Sequence, residues 1–503
     1  MHVRTSARAA LAAALAFSAL PLAGAAPAIA TTVSAYEGLP DGTRQKKSLV
    51  IGIDGATFAT FGSVDLPSIT LLMAQGMTAT GNLYAAPMSD TWSGPGWATV
   101  ATGVWPDKHL AKDNSFSGAD FTRYPDYQTR LESADPTAST LVVGTWPSIT
   151  STIFTMADVR KAGTSDDDTT AQAADYLAHG NPDSVFVHLD DVDHAGHDHG
   201  AASLEYRAAL EATDARISEI LKAVASRPTY ADEDWQIILT TDHGHTDAGG
   251  HGGDSPQERQ TFVIAKGSGH AAGSIRNDVK LTDIAPTVLA HEGVAASPSW
   301  ELDGQPVHDI AADAFDGLRP SLKPRVDETS LSASVKGWST TAPAGWKVDN
   351  SKMPTGGTTE WRGWSFTTDE FWSNTDRGQG RETNVRARNV FAVADSDEWD
   401  DKDHGTGQFD STLISPSYGV PADRTVEIHY ATNYKIDGPQ TGDVYVSWDN
   451  GTPRLITSYR ADVNRVERLP VTAPAGAKTF KLRFRYTGTN SAFWSVDQVR
   501  VSG

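Results

Sequence analysis

The sequence predicts an α/β domain with a mostly parallel sheet flanked by helices, followed by an all-β sandwich. Three observations predict it. Between about Lys47 and Glu292, short β-branched runs alternate with helical segments. Those runs are largely apolar on both faces, as strands covered by helices on either side must be. Beyond a stretch rich in Ser, Thr, Lys and Pro at Pro320–Pro343, the texture changes to alternating strands separated by Gly, Pro and Asn turns.

The first element is a leader. Arg4 and Arg8 precede an Ala/Leu-rich run from Ala9 to Ala25 and a small-x-small site at Ala28-Ile29-Ala30. This pattern predicts a secretory signal peptide over residues 1–30 and hence a secreted, extracellular protein. Pro21, Gly24 and Pro27 interrupt the run, against a membrane anchor. No later segment has about 18 uninterrupted apolar residues, so no membrane span is expected. Cleavage removes two arginines and no acid, taking the formal net charge from −21 to −23. Such an acidic surface repels polyanions and argues against dedicated nucleic-acid binding. It leaves a small phosphate ester open as substrate, because bound cations invert the local field. The chain has no cysteine, which excludes disulfides and a thiol nucleophile.

The catalytic domain is expected over residues 31–325, with strands at Ser48–Ile53, Leu141–Thr145, Val185–Leu189, Gln236–Thr240 and Phe262–Ala265. Between two of them, Leu204–Ala225 carries Leu210, Ile217, Leu221 and Val224 on one face, the pattern of an amphipathic helix. A linker is expected at about 316–335 and a β-sandwich of jelly-roll type over 336–503. Its strands include Thr425–Tyr430, Asp443–Trp448, Phe480–Tyr486 and Trp494–Val501. Eight of the 14 tryptophans lie in this part. They suit a two-sheet core or, alternatively, an aromatic platform for polysaccharide or cell-surface contact. Asp395, Asp397, Asp400, Asp401 and Asp403 form an acidic cluster that is either a solvated loop or a structural Ca2+ site.

In a doubly covered sheet, functional residues collect past the carboxyl ends of strands. Asp54, Asp190 to Asp193 and Asp242 sit there. Asp193 and His197 are four apart, Asp242-His243 follows a strand after one residue, and His251 lies in Gly249-Gly250-His251-Gly252-Gly253. Singly, each residue is a turn, a cap or a hydrogen-bonded polar group. Jointly, several strand ends carrying carboxylate and imidazole are the donor set of a two-metal site. His188, Asp190, Asp191, His194, His199 and His245 are expected in solvated loop, with orientation of the ligands as the alternative, and Asp166-Asp167-Asp168 as a solvated helix start rather than a further metal site. Ser93-Gly94-Pro95-Gly96-Trp97 offers a hydroxyl at a helix N-terminus, where a serine also serves as N-cap.

These residues resemble the alkaline phosphatase superfamily and, within it, the nucleotide pyrophosphatase/phosphodiesterase branch, over about residues 47–292. The resemblance implies an alkaline-phosphatase-like fold and two divalent ions, with zinc the expected metal. One ion would be held by Asp193, His197 and His251, the other by Asp54, Asp242 and His243. Thr102-Gly103-Val104-Trp105-Pro106 matches the family turn that places the nucleophile at Ser93, with Pro95 matching the family proline; Thr91 and Ser89 are the alternatives if the register slips. A family Asn 21 residues after the nucleophile lands on Asn114, and Thr145-Trp146-Pro147-Ser148 resembles a further element of the branch without its glycine. Most of the branch has threonine where this chain has Ser93. A sulfatase would need an arginine where Trp97 stands.

The resemblance implies a phosphodiesterase or nucleotide pyrophosphatase acting through a phosphoseryl intermediate. Alternatives are a phosphomonoesterase on the same site, or a surface- or carbohydrate-binding protein led by the sandwich. Trp92, Trp97, Trp105 and Trp146 near the nucleophile favour an aromatic platform for a second ester group, although tryptophans also belong to cores.

Overall fold

The computed structural model describes residues 35–503; the expected leader lies outside the described residues. Eight strands form the first sheet: β1 (Lys46–Ile53), β2 (Met77–Asn82), β3 (Thr140–Gly144), β4 (Val159–Ala162), β5 (Ser184–Leu189), β6 (Asp234–Thr240), β7 (Gln260–Lys266) and β8 (Ser274–Arg276). Their order is β4-β3-β5-β1-β6-β7-β2-β8. All neighbours are parallel except β7, which runs antiparallel to both β6 and β2. The apolar runs occupy the centre, where β1 and β5 are buried almost throughout.

Helices cover both faces: α1 (Pro67–Gln75), α2 (Ser93–Thr102), α3 (Pro106–His109), α4 (Tyr127–Ala134), α5 (Asp166–His179), α6 (Asp191–His199), α7 (Leu204–Ala225), α8 (Pro256–Arg259) and α9 (Ile284–His291). Leu49, Ile51 and Ile53 point to a core shared with Leu210, Ile217 and Ile220 of α7. Val50 points the other way, onto Trp97, Val100 and Ala101 of α2. That alternation is the period of two of a strand buried on both sides. Ser203 caps α7 by accepting the Tyr206 N–H.

The sandwich follows as two antiparallel sheets. Seven strands order as β19-β16-β21-β13-β12-β10-β9, comprising β9 (Lys323–Pro324), β10 (Lys336–Ser339), β12 (Ser365–Thr367), β13 (Phe391–Asp395), β16 (Thr425–Tyr434), β19 (Val463–Thr472) and β21 (Phe493–Ser502). Six form the other sheet, β11-β14-β20-β17-β18 with β15 on β20, comprising β11 (Lys347–Asp349), β14 (Phe409–Ile414), β15 (Tyr418–Gly419), β17 (Thr441–Trp448), β18 (Arg454–Tyr459) and β20 (Thr479–Gly488). The stretch expected as a linker is not a free tether: Phe315, Leu322 and Leu331 join the sandwich core, and β9 pairs with β10. Residues 35–503 form one compact unit.

Trp338, Trp346, Trp361, Trp364, Trp372, Trp399 and Trp494 are buried in the sandwich, and Trp448 is half-buried. Each removes on the order of 200 Å² from water, roughly 5 kcal/mol as an upper figure. They are core, so the aromatic platform expected for polysaccharide contact is not made from them. The acidic cluster meets cations of the protein itself. Asp395, Asp397 and Glu398 converge on buried Arg381 at 3.0, 3.3 and 2.8 Å, and Asp400 pairs with His404. The guanidinium supplies positive charge to these acids, and Asp376, Asp397 and Glu398 offer ligand atoms within 4.8 Å of one another that could hold a metal ion.

Candidate active site

Three adjacent parallel strands, β5, β1 and β6, each deliver a carboxylate just past the carboxyl end. Asp54 follows β1, Asp242 follows β6, and Asp193 sits one turn into α6, which starts two residues after β5. Strands about 4.8 Å apart therefore set three acids side by side. Asp193 and His197, i and i+4 on α6, face the same way, Nε2 to Oδ2 at 3.4 Å. Gly196 lies between them because a Cβ there would meet the His245 ring at 2.6 Å.

All six expected metal positions converge. His243 Nε2 lies 3.4 Å from Asp54 Oδ1 and 3.3 Å from Asp242 Oδ2. His251 Nε2 lies 3.5 Å from Asp193 Oδ1 and 3.0 Å from His197 Nε2. Backbone carbonyls hold the imidazoles by their other nitrogen: His251 Nδ1–H donates to Thr91 at 2.7 Å, and His243 Nδ1–H to Gly244 at 3.1 Å. This turns both Nε2 lone pairs into the cluster, the orientation a metal ligand requires. The loop around His251 comes close to the chain before α2: a Cβ on Gly252, at φ +112°, would meet Trp92 at 2.4 Å.

Ser93 opens α2, at its first helical position rather than as the N-cap; Trp92 takes the cap. The hydroxyl is free of capping and lies 3.3 Å from His243 Nε2 and 3.5 Å from Asp54 Oδ1. The first turn has few amides to offer. Gly94 N–H donates to Asn114 Oδ1 at 2.7 Å, Pro95 has none, and Gly96 N–H bonds Trp92 O at 3.1 Å. Ser93 N–H is left to face a ligand, with the positive end of the helix behind it. Asn114 uses its oxygen on Gly94, which leaves its amide hydrogens as donors beside Ser93. Thr91 and Ser89 are tied elsewhere, to Gly253 and Lys112 carbonyls at 3.0 Å.

Sequence reasoning placed His188, Asp190 and His245 in solvated loop, and the structure corrects this: all three are buried. His188 Nε2–H donates to Asp54 Oδ2 at 2.9 Å, beside a 2.8 Å bond from Trp97. His245 Nε2–H donates to Asp193 Oδ1 at 2.7 Å. Each had a signal. His188 is the one polar residue in Val-Phe-Val-His-Leu, and a polar group inside a buried strand must be paired. His245 repeats two residues after His243 past a strand end. Asp166 heads α5 as expected but is also buried, accepting N–H groups of Asp190 and Asp191 at the start of α6. His194 and His199 are exposed, as expected, and Asp191 is half-buried.

The electrostatics demand positive charge. Burial drives the Asp242 carboxyl well above the usual range, reinforced by the charges of Asp54 and Asp193. Burial is the largest influence on Asp54 and raises it, but the His188 hydrogen bond, the charges of His243 and His188 and the Trp97 hydrogen bond together outweigh it and hold that carboxylate charged. Burial lowers His243 to about 3, helped by neighbouring His251, so its nitrogen stays neutral and available. Among the described residues, no lysine or arginine pairs with Asp54, Asp193 or Asp242. Asp242 Oδ2 and His245 Nδ1 are buried without a hydrogen-bond partner. An orphaned carboxylate oxygen amid neutral imidazoles is costly for the bare protein and fits a bound divalent cation. The ligand atoms of Asp54, Asp242 and His243 lie within 4.8 Å of one another, as do those of Asp193, His243, His245 and His251.

Of the tryptophans near Ser93, Trp97 and Trp105 are core, whereas Trp92 is 37 % exposed and Trp146 half-buried. Among the described residues, no helix is long and apolar enough to cross a membrane.

The profile of the family described as type I phosphodiesterase / nucleotide pyrophosphatase matches residues 48–157 and 123–370. GPI ethanolamine phosphate transferase 1 of Aspergillus fumigatus is 34% identical over 126 residues, 25% of this chain and 11% of that protein. Phosphopentomutase of Methylobacterium radiotolerans is 39% identical over 122 residues, 24% of this chain and 27% of that protein. The chain thus spans between about a tenth and a quarter of the curated relatives it matches. An inactive form of murine ectonucleotide pyrophosphatase / phosphodiesterase 5 in complex with AMP superposes with a TM-score of 0.43 at 15% identity, covering 53% of this chain and 100% of that one. With the family profile spanning more than half of its length, the chain belongs to the type I phosphodiesterase / nucleotide pyrophosphatase family.

Proposed function

We propose that the protein is an exported two-metal phosphoric ester hydrolase of the phosphodiesterase or nucleotide pyrophosphatase type, with Ser93 as nucleophile. One observation carries the reading: a serine hydroxyl at a helix N-terminus, 3.3 Å from a neutral imidazole, beside three carboxylates that no lysine or arginine among the described residues pairs with. Asp193, His197 and His251 would hold one ion and Asp54, Asp242 and His243 the other, with zinc the metal that this nitrogen and oxygen donor set favours. When bound, the ions lower the pKa of the nucleophilic hydroxyl and neutralise phosphoryl charge.

Ser93 Oγ attacks phosphorus; the Ser93 O–P bond forms, the P–O bond to the leaving alcohol breaks, and water later cleaves the phosphoseryl ester. Asn114 and the Ser93 N–H donate to a non-bridging oxygen as charge develops there. His188 and Trp97 orient Asp54, and His245 orients Asp193, so that each carboxylate presents its second oxygen inward. Exposed Trp92 and half-buried Trp146 supply an apolar wall for a second ester group. A dianionic monoester would need further positive charge, which the site's own side chains do not provide. This favours a diester.

Hydrolysis of p-nitrophenyl phosphate and of the p-nitrophenyl ester of thymidine monophosphate, before and after chelation, tests the reading. The diester should be preferred by at least an order of magnitude, and zinc should restore activity lost to chelator. Undiminished turnover by metal-free protein refutes the metal site. Preference for the monoester refutes the diesterase assignment alone.

A further inference from the structure

A groove of about 400 Å³ lies between the α/β domain and the sandwich, at the far end of α2 from Ser93. Trp105, three residues past that helix, lines it. Nine residue steps of 1.5 Å put it ~14 Å or more from the nucleophile. Its rim is unusual. In neighbouring strands β19, β16 and β21, Arg468 stands directly opposite His429, and His429 opposite Arg500. Residues directly opposite one another share a face of the sheet, so the two arginines flank this imidazole on one side. Arg468 and Arg500 are exposed and, among the described residues, neither has a carboxylate within 4 Å; His429 has Glu427 at 3.4 Å.

Lys280 also lines the groove. It is 8 % exposed and has no ion-pair partner among the described residues, and burial lowers its pKa. Arg386 and Arg388 form the wall, already neutralised by Asp303 and Asp283 at 2.9 and 2.6 Å. In a chain of net charge −21, a groove lined by Lys280 and by two arginines, Arg468 and Arg500, that have no carboxylate within 4 Å among the described residues is a local inversion of the field. Two strand spacings put the outer arginines about 10 Å apart. That is too wide for one oxyanion and suited to two successive ones, each gripped by a guanidinium fork.

We infer that this groove is an anchoring site for a chain of phosphodiester-linked units, binding consecutive phosphates through Arg468, Arg500 and Lys280, apart from the hydrolytic centre. The capture of a multiply anionic chain rests on the groove alone. Its assignment as phosphodiester rather than sulfate rests on the proposed function.

Calorimetry on the whole protein tests this with three probes: a synthetic glycerol phosphate oligomer, dextran sulfate and inorganic phosphate. The oligomer should bind at least tenfold more tightly than inorganic phosphate. The double variant Arg468→Ser, Arg500→Ser should weaken it at least tenfold while hydrolysing a small p-nitrophenyl diester at the wild-type rate. The second readout is Lys280→Met, which should weaken the oligomer likewise with no change in small-ester hydrolysis. Equal oligomer affinity of wild type and double variant, or no binding by wild type, overturns the anchoring site. Tighter binding of dextran sulfate overturns the phosphodiester assignment. Loss of catalysis with intact groove binding would instead fail the hydrolase reading.

Discussion

Gly96→Ala sets two physical effects of opposite sign against each other. Gly96 sits inside α2, where glycine costs about 1 kcal/mol relative to alanine. Propensity alone therefore expects the variant to be more stable. A Cβ at this position, however, would lie 2.7 Å from the Asp242 Cβ and 2.9 Å from its carbonyl oxygen. Ordinary contact begins near 3.4 Å, so α2 must retreat from the end of β6 by about 0.7 Å. The retreat cannot be absorbed locally, because every residue from Ser93 to Thr102 is buried. It carries Ser93 away from His243 and Asp54. Displacement by ~1 Å from a reactive geometry costs on the order of a hundredfold in rate, so kcat/KM on the thymidine monophosphate ester should fall roughly 30- to 100-fold. Overpacking should also cost about 1–3 kcal/mol, enough to cancel the propensity gain. Steady-state kinetics, metal content and urea unfolding of Gly96→Ala measure this, with Gly62→Ala as control, since nothing lies within 4 Å of a Cβ there. Wild-type kinetics with raised stability in Gly96→Ala would refute the claim that this contact positions the nucleophile.

Asn114→Ala should lower kcat about a hundredfold, the ~3 kcal/mol of one oxyanion donor, with metal content unchanged. Asp242→Asn should lose one metal equivalent by elemental analysis, and more activity than the ~10–100-fold typical of residues that only orient ligands. His109 accepts the Ala111 N–H at Nδ1 (3.1 Å) and meets Thr99 Oγ1 at Nε2, so only the neutral ring fits; burial holds its pKa at about 3. A depressed folded pKa gives stability that is complete above the free value of 6.5 and drains as pH falls toward 3. At pH 4.5 the loss should be about 3 kcal/mol by urea unfolding in chelator, and His109→Gln should flatten that slope. Arg386→Ala leaves Asp303, 2 % exposed, with Lys108 at 2.8 Å as its remaining cation, and should cost about 1.5–3 kcal/mol in the same assay.

The sequence showed most of the sheet because its central strands carry apolar residues on both faces, a pattern few other structures need. β2, Met-Thr-Ala-Thr-Gly-Asn, escaped notice: it is short and polar, made a strand by pairing with β7 and β8. The convergence of the carboxylates and imidazoles was legible because strand ends concentrate such residues. His188 and His245 were not, since burial depends on what packs over a residue, and Trp97 and Gly196 do that from distant positions. The aromatic wealth of the sandwich was visible, but whether a tryptophan faces inward or outward follows from strand register, which turns alone left undetermined.

Four arginines fasten the halves: Arg259 to Asp369, Arg386 to Asp107 and Asp303, Arg388 to Asp283 and, at the surface, Arg377 to Asp254. Each half keeps acids that only the other neutralises. Severing the polypeptide near residue 325 would leave the side chain of Asp283, now wholly enclosed, facing water without its counter-ion. The sandwich is consequently no exchangeable cassette: grafting it elsewhere would transplant a set of charges made for one partner.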